Sequence, residues 1–254
     1  MPVDRTPMPL SHRARWALVG SAAVTFGLYL IPYGGYVVYP LLLISTLVHE
    51  LGHGIAAVLV GSDFVEFKMW KDGSGVAMHT VPDSAAAKAF ISAGGLCGPA
   101  VAAAAMVAAA RNTTWARYAL GAFGVALALA LLLVVRNGFG AVFTGVLAAA
   151  ALLIAFRGGA QLAQATLLFL AVQLALSVFS RGDYLFKQYA QTAQGQMPSD
   201  SQQMANAMGG AYWFWGGMCA AFSVAMLLVG AFAFWRGTRA AAVAVPAPRA
   251  RAAT

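Results

Sequence analysis

Charged residues and cysteine are scarce in this sequence. Charged residues make up 9% of its 254 residues and hydrophobic residues 61%, and the mean hydropathy is +0.73. Because a soluble domain carries about 25% charged residues, this composition excludes an ordinary soluble globular protein. The basic residues lie scattered between apolar runs, which fits anchoring at a membrane interface, and we expect no nucleic-acid partner. The two cysteines, Cys97 and Cys219, both lie in apolar segments, where we expect small buried side chains.

The long apolar runs predict an all-α polytopic protein embedded in a lipid bilayer, with about seven transmembrane helices and at least about six. The predicted spans cover residues of about 16–32, 36–61, 86–110, 115–135, 139–156, 160–179 and 211–235. Together they form a single membrane-embedded domain at 16–235. A polar segment at 1–15 precedes this domain, and a proline-containing tail at 236–254, which we expect to be disordered, follows it.

The region 63–81 differs in character from the apolar runs on either side. Residues 64–70 and 76–81 are rich in strand formers, and Asp72-Gly73 is a turn dipeptide. We therefore predict a β-hairpin after the second span, at or just within the membrane interface. The alternative is an ordinary solvated loop. An unpaired strand edge on this hairpin could bind a peptide as an additional strand.

The second predicted span contains the run His49-Glu50-Leu51-Gly52-His53. Glu50 is the only carboxylate in the long apolar runs, and ionisable residues at membrane depth are costly and usually functional. Residues four apart project from the same face of a helix, so His49 and His53 can share one metal ion. Glu50 then lies beside the metal and can take a proton from a bound water. The pattern is the H-E-x-x-H signature of zinc hydrolases.

A catalytic zinc ion normally has three protein ligands, so the two histidines require a third ligand from elsewhere. After Asp83 the chain contains two carboxylates, Asp183 and Asp200. The remaining histidines are His12 in the polar N-terminus and His79 on the second strand of the predicted hairpin. We expect His79 to lie near the site without binding the metal.

Asp183 is the predicted third ligand, because it follows the sixth span, whose end faces the same side of the membrane as the end of the second span. The alternative for Asp183 is an interfacial ion pair with a neighbouring basic residue. Asp200 is the less favoured ligand. It follows Ser199, whose capping-box spacing to Gln202 predicts a short helix, so we expect Asp200 to stabilise the N-terminus of that helix.

Three glycines and a proline lie close together in the third span: Gly94, Gly95, Gly98 and Pro99. These residues suit a lipid-facing helix poorly. They favour close helix contact or a locally opened backbone that lines a cavity, and simple small-residue packing is equally compatible with the composition. We treat the four as candidate substrate-binding residues.

With these motifs the sequence resembles the site-2 protease type of intramembrane zinc metallopeptidase. The resemblance is carried by residues 49–53, by the hairpin at 64–81 and by the glycine-rich run at 94–99. It covers a metal-motif core at 36–110 well and a third-ligand region at 160–206 loosely. In that family two histidines and a later aspartate bind zinc, and the glutamate is the base.

The resemblance therefore implies one Zn²⁺ per chain, held by His49, His53 and a later aspartate, with Glu50 as the catalytic base. In better-known members the aspartate lies in a Leu-Asp-Gly motif. This chain has Gly182-Asp183-Tyr184 instead, so Asp183 is assigned by role. The extramembrane segments are too short for a PDZ-like domain, and the Ser199-Asp200 pair is closer to a smaller bacterial branch. We therefore expect a bacterial cell membrane as the location.

The sequence as a whole predicts a multi-pass membrane zinc endopeptidase. Its expected substrates are membrane proteins or membrane peptides, cleaved within or near the bilayer as in regulated intramembrane proteolysis. One alternative is a non-catalytic scaffold or binding protein that retains the motif and the metal. A metal-handling transporter is less favoured, because transport paths usually show several polar groups on different helices.

Overall fold

Long helices and two small hairpins build the described part of the chain. The computed structural model describes residues 10–30, 34–180, 185–193 and 195–243. The helices are α1 (Leu10–Leu30), α2 (Gly34–Leu59), α3 (Ala85–Ala109), α4 (Thr113–Leu133), α5 (Gly138–Arg157), α6 (Gly159–Ser180), α7 (Asp200–Met208) and α8 (Tyr212–Val243). The strands are β1 (Phe64–Met69), β2 (Gly75–His79), β3 (Tyr189–Thr192) and β4 (Gly195–Pro198).

Six helices are long and apolar enough to cross a membrane, namely α2 to α6 and α8. This confirms the predicted helical membrane fold with six or seven spans. Judged over its described residues, α1 is not one of these six helices. It begins at Leu10, inside the segment predicted to be polar, and its first turns contain Arg13 and Arg15, which lower its hydropathy.

The last helix extends beyond its predicted end. α8 continues past Trp235 to Val243, so the first part of the tail that we expected to be disordered is helical. The stretch is rich in alanine, the strongest helix former, and Thr238 within it is buried. Arg15 donates to Thr238 Oγ1 at 3.3 Å and lies over the Trp235 ring at 4.6 Å from its centroid. These contacts tie this end of α8 to α1. The rest of the predicted tail lies outside the described residues.

α3 occupies the centre of the molecule and contacts α2, α6, α7 and α8. Its glycines allow the approach to α2: a Cβ atom added at Gly94 would lie 2.6 Å from the Gly52 carbonyl oxygen, and one added at Gly98 would lie 3.2 Å from Gly52 Cα. α3 is helical throughout this region, with Pro99 inside it. Of the alternatives that the sequence left open, the structure therefore has close helix contact and not a locally opened backbone.

The predicted hairpin after the second span is confirmed. β1 and β2 pair antiparallel, with Phe67 opposite Ala77 and Met69 opposite Gly75. The Phe67 and Met69 side chains are fully buried. Thr46 of α2 donates its hydroxyl proton to the Gly73 carbonyl oxygen at 2.7 Å. The hairpin is thus anchored to α2 through its turn and through the apolar face of β1.

A second hairpin was not predicted. β3 and β4 pair antiparallel with Tyr189 opposite Pro198, in a stretch that is polar and has few strand formers. The local signal is Gly195, whose φ of 109° is a turn conformation that favours glycine. The backbone N–H of Ala193 donates to Ser74 Oγ at 3.2 Å, so this hairpin contacts the turn of the first one.

Candidate metal centre

His49 and His53 lie one turn apart on α2 and point the same way, as their spacing predicts. Their Nε2 atoms are 3.2 Å apart. The side chains are largely buried, with exposed fractions of 7% and 12%. α3, with its glycines, lies directly against α2 at this level, and the two histidines therefore lie in the interior.

Asp200 completes a cluster with the two histidines. It is the first residue of α7, whose N-cap is Ser199, with the Ser199 hydroxyl accepting from the Gln202 N–H at 3.2 Å. The predicted short helix is therefore present. Asp200 Oδ2 lies 3.1 Å from His49 Nε2, and Asp200 Oδ1 lies 3.3 Å from His53 Nε2.

The position of α7 follows from its apolar face. Met204, one turn after Asp200, is buried together with Leu96 of α3 and Cys219 of α8. This packing holds the N-terminus of α7 over α2. Asp200 therefore reaches the histidines because its helix is packed between α3 and α8, although the carboxylate is distant from them in sequence.

The three side chains fit a metal ion. In a tetrahedral site with metal–ligand bonds of about 2.0 Å, neighbouring ligand atoms are about 3.3 Å apart. The two Nε2 atoms are 3.2 Å apart, and each lies close to a different oxygen of Asp200, His49 at 3.1 Å from Oδ2 and His53 at 3.3 Å from Oδ1. One ligand atom from each of the three residues lies within 4.8 Å of the other two. Apart from the His49 ring, the buried Oδ2 atom of Asp200 has no hydrogen-bond partner within the described chain, which leaves it available to a cation. Two imidazole nitrogens and one carboxylate oxygen are ligands that zinc takes.

Electrostatics keep Asp200 in the ligand form. Burial raises the pKa of its carboxyl group, but the charge of His53 and hydrogen bonds from His49 and His53 outweigh burial, so the pKa lies below its ordinary value. Asp200 is therefore a carboxylate at neutral pH.

The other ring nitrogen of His53 is also engaged. Nδ1 lies 2.8 Å from the carbonyl oxygen of Ile91 on α3, and because a carbonyl can only accept, Nδ1 carries the proton. In the neutral imidazole the Nε2 lone pair is left for a metal, which would replace the proton that a charged His53 shares with Asp200, and a carbonyl on the other ring nitrogen is an arrangement common in metal sites. A Cβ atom added at Gly95 would overlap the His53 ring, so Gly95 provides the space that the imidazole occupies.

Glu50 is buried beside the histidines and points toward the first hairpin. Its Oε2 atom accepts from the backbone N–H of Ala77 on β2 at 2.8 Å. A Cβ atom added at Gly75 would lie 2.8 Å from Glu50 Cγ, so the absence of a side chain at Gly75 lets β2 approach α2. Sequence reasoning missed both backbone partners, Ala77 and Ile91, because a main-chain group leaves no residue-type signal.

A cavity of about 400 Å³ opens beside this cluster. It separates β2 from the β3–β4 hairpin, and its lining includes His49, Glu50, His53 and Asp200. The lining also contains His79, which lies near the site as expected, with its Nδ1 atom 3.0 Å from the Thr80 carbonyl oxygen. A cavity that holds both a strand edge and the polar cluster can place an extended peptide against the cluster.

The remaining predicted site residues fall into two groups. Asp183 lies outside the described residues, so the structure gives no position for the favoured third ligand. Gly94, Gly95 and Gly98 face α2 or His53, and Pro99 lines a smaller cavity beside His49. Their contribution to substrate binding stays a prediction.

The chain matches a known protein family. The family model described as Peptidase M50B-like matches residues 19–230. The matched range includes α2, both hairpins and α7, and therefore the histidines and both candidate aspartates. No curated protein and no solved structure matches the chain.

Proposed function

This chain belongs to the Peptidase M50B-like family, and from that premise we propose that it is a zinc endopeptidase that cleaves membrane proteins or membrane peptides within or near the bilayer. It is a multi-pass integral membrane protein. We further propose a bacterial cell membrane as its location, on the resemblance to the smaller bacterial branch. The observation that carries the proposal is the buried cluster of His49, His53 and Asp200, in which one ligand atom from each residue lies within 4.8 Å of the others.

The four side chains have two roles in the proposed mechanism, metal binding and proton transfer. His49, His53 and Asp200 would hold the metal, with Asp200 as the third ligand in place of the undescribed Asp183. A zinc ion held there would supply Lewis-acid chemistry, which polarises a carbonyl group and lowers the pKa of a bound water to about 7. Glu50 accepts a proton from the attacking water and later passes it to the leaving amine.

The outer edge of β2 gives the substrate a place to bind. A transmembrane helix has no free peptide groups, so a scissile segment must unwind before a nucleophile can reach it. An unwound segment can pair with a strand edge through main-chain hydrogen bonds. β2 offers such an edge in the cavity that contains the candidate ligands, which supports cleavage of an extended segment.

The test separates catalysis from metal binding. The full-length protein and a single-span reporter protein are reconstituted in liposomes, and cleavage and zinc content are measured. We expect Glu50→Gln to retain one zinc and to slow cleavage by about 10²- to 10⁴-fold, the usual contribution of a general base.

Glu66→Gln is the matched control, because Glu66 lies on β1 and pairs with Lys68 Nζ at 2.7 Å. This control should cleave at the rate of the unmodified protein. A Glu50→Gln protein with unchanged activity would contradict the proposal and favour a scaffold that retains the motif.

A further inference from the structure

The main chain of Ala77 points away from its partner strand. The Phe67 N–H donates to the Val134 carbonyl oxygen at 2.7 Å, and the Arg136 N–H donates to the Phe67 carbonyl oxygen at 3.0 Å. Phe67 therefore directs both main-chain groups away from β2, and Ala77 lies opposite it. Residues facing each other in this way form a non-hydrogen-bonded pair. The N–H and C=O of Ala77 consequently project from the outer edge of β2.

That outer edge faces the cavity. Within the part of the chain that the structure describes, β2 pairs only with β1, and residues 75–79 line the cavity opposite β3 and β4. An extended peptide that binds there and pairs at Ala77 would accept from its N–H and donate to its C=O. The Ala77 N–H, however, already donates to Glu50 Oε2 at 2.8 Å.

We propose that Glu50 and an incoming peptide strand compete for the Ala77 N–H, so that substrate pairing with β2 releases the Glu50 carboxylate to act as the base. The inference rests on the proposed function and adds a way in which substrate binding controls the same site. Without substrate, the hydrogen bond holds Glu50 against β2. With a strand in place, the substrate carbonyl takes the N–H and Glu50 turns to the water.

The competition makes an unusual prediction about affinity. Hydrogen bonds to a charged group are about twice as strong as neutral ones. The Glu50 carboxylate therefore competes strongly with a neutral peptide carbonyl for the Ala77 N–H. Removing the Glu50 side chain should therefore strengthen substrate binding. If Glu50 only lay near the substrate, removing its side chain would leave the substrate affinity unchanged or would weaken it.

The test measures binding of a peptide that cannot be hydrolysed. The probe is a dansylated octapeptide of alternating leucine and threonine, with a ketomethylene group replacing the central peptide bond. It is titrated against the full-length, zinc-loaded protein in detergent, with zinc content checked for each variant. We expect Glu50→Ala to bind the probe about tenfold more tightly than the unmodified protein, since a charge-assisted competitor has been removed.

Ala77→Pro provides the second arm. Proline removes the N–H, and this N–H faces outward, so the β1–β2 ladder is retained. We expect about tenfold weaker probe binding and no gain from adding Glu50→Ala. Reporter cleavage by Ala77→Pro should show a raised KM with a nearly unchanged kcat, because Glu50 is no longer held. Val65→Pro, at the irregularity of β1 and outside the cavity lining, controls for proline in the hairpin.

Each of three results would overturn the inference. One is equal or weaker probe binding by Glu50→Ala, and another is a fall in kcat at constant KM for Ala77→Pro, which would mean that the N–H only orients Glu50. Failure of every variant to bind the probe, with reporter cleavage intact, would also overturn it and leave the proposed function standing. Absence of cleavage by the unmodified protein would instead count against the proposed function.

Discussion

His53 and Ile91 are joined by a hydrogen bond of 2.8 Å from the imidazole Nδ1 to the backbone carbonyl oxygen. The bond couples the helix that carries both histidines to the helix beside it. It fixes the ring so that Nε2 faces Asp200, at 3.3 Å from Oδ1. The candidate metal centre therefore depends on the contact between α2 and α3 as well as on the motif itself.

The identity of the third ligand is the first prediction. Asp200→Asn should lower zinc affinity by more than the roughly 10- to 100-fold typical of losing an outer-shell partner, because the neutral amide is a poorer ligand than a carboxylate. Asp183→Asn is the matched control, since it makes the same change at the other candidate. Zinc content after dialysis against a graded chelator measures both. Metal loss in Asp183→Asn alone would restore Asp183 as the third ligand.

Gly95→Ala should displace the His53 ring. The added Cβ atom would overlap the imidazole, and the rigid α2–α3 contact leaves the ring little room. We expect zinc affinity to fall by about 10- to 100-fold, as for lost ligand orientation. Gly217→Ala on α8 is the control, because nothing lies within 4 Å of its added Cβ atom. That substitution should leave zinc affinity unchanged and stabilise the helix slightly; equal zinc affinities for the two variants would contradict the steric argument.

Local patterns were sufficient to predict the spans, the first hairpin and the pair of histidines. Each depends on residues close in sequence: apolar runs, runs of strand formers on either side of Asp72-Gly73, and i, i+4 spacing. The role of the α3 glycines could not be decided, because small residues suit several kinds of packing equally. The position of Gly94 against Gly52 in the folded structure is what distinguishes these kinds of packing.

Asp200 shows why the third ligand was harder to predict. A carboxylate at the first position of a helix has a sufficient local role in stabilising that helix, so its sequence context does not reveal a ligand. Its approach to His49 depends on the packing of Met204 against α3 and α8, which is a tertiary contact. The β3–β4 hairpin was not predicted either, because its polar strands lack a strand-forming pattern.

Ser199→Ala should weaken metal binding indirectly. Ser199 caps α7 by accepting from the Gln202 N–H, and its hydroxyl also donates to the Lys187 carbonyl oxygen. Loss of an N-cap costs about 0.5–2 kcal/mol, and here the destabilised turn carries Asp200. We expect lower thermal stability together with a several-fold lower zinc affinity.

Ser84→Ala is the control for this substitution, because Ser84 caps α3 by accepting from the Ala87 N–H at 3.4 Å. It should lower thermal stability alone. Comparable zinc affinities for the Ser199 and Ser84 variants would show that capping of α7 does not position Asp200. Ser199→Thr, which keeps a capping hydroxyl, should restore both properties.

The contact between the two hairpins depends on a buried serine. Ser74 donates its hydroxyl proton to Asp72 Oδ1 at 2.6 Å and accepts from the Ala193 N–H at 3.2 Å. Asp72 thus orients the hydroxyl whose oxygen holds the second hairpin. Asp72 Oδ1 accepts hydrogen bonds from both the hydroxyl and the backbone N–H of Ser74. These two bonds lower the pKa of the Asp72 carboxyl group below its usual value of 3.8.

The contact should therefore survive mild acid. A carboxyl group whose folded-state pKa is lowered contributes stability above its unfolded pKa and loses it as the pH falls through the folded value. Hydrogen exchange at Ala193, corrected for its intrinsic pH dependence, should stay constant from about pH 7 to pH 5 and increase only below 3.8. Ser74→Ala should exchange about 2- to 10-fold faster throughout, since one hydrogen bond is worth about 0.5–1.5 kcal/mol, and without the acid step. An acid step in Ser74→Ala equal to that of the unmodified protein would show that Asp72 acts on the second hairpin by another route.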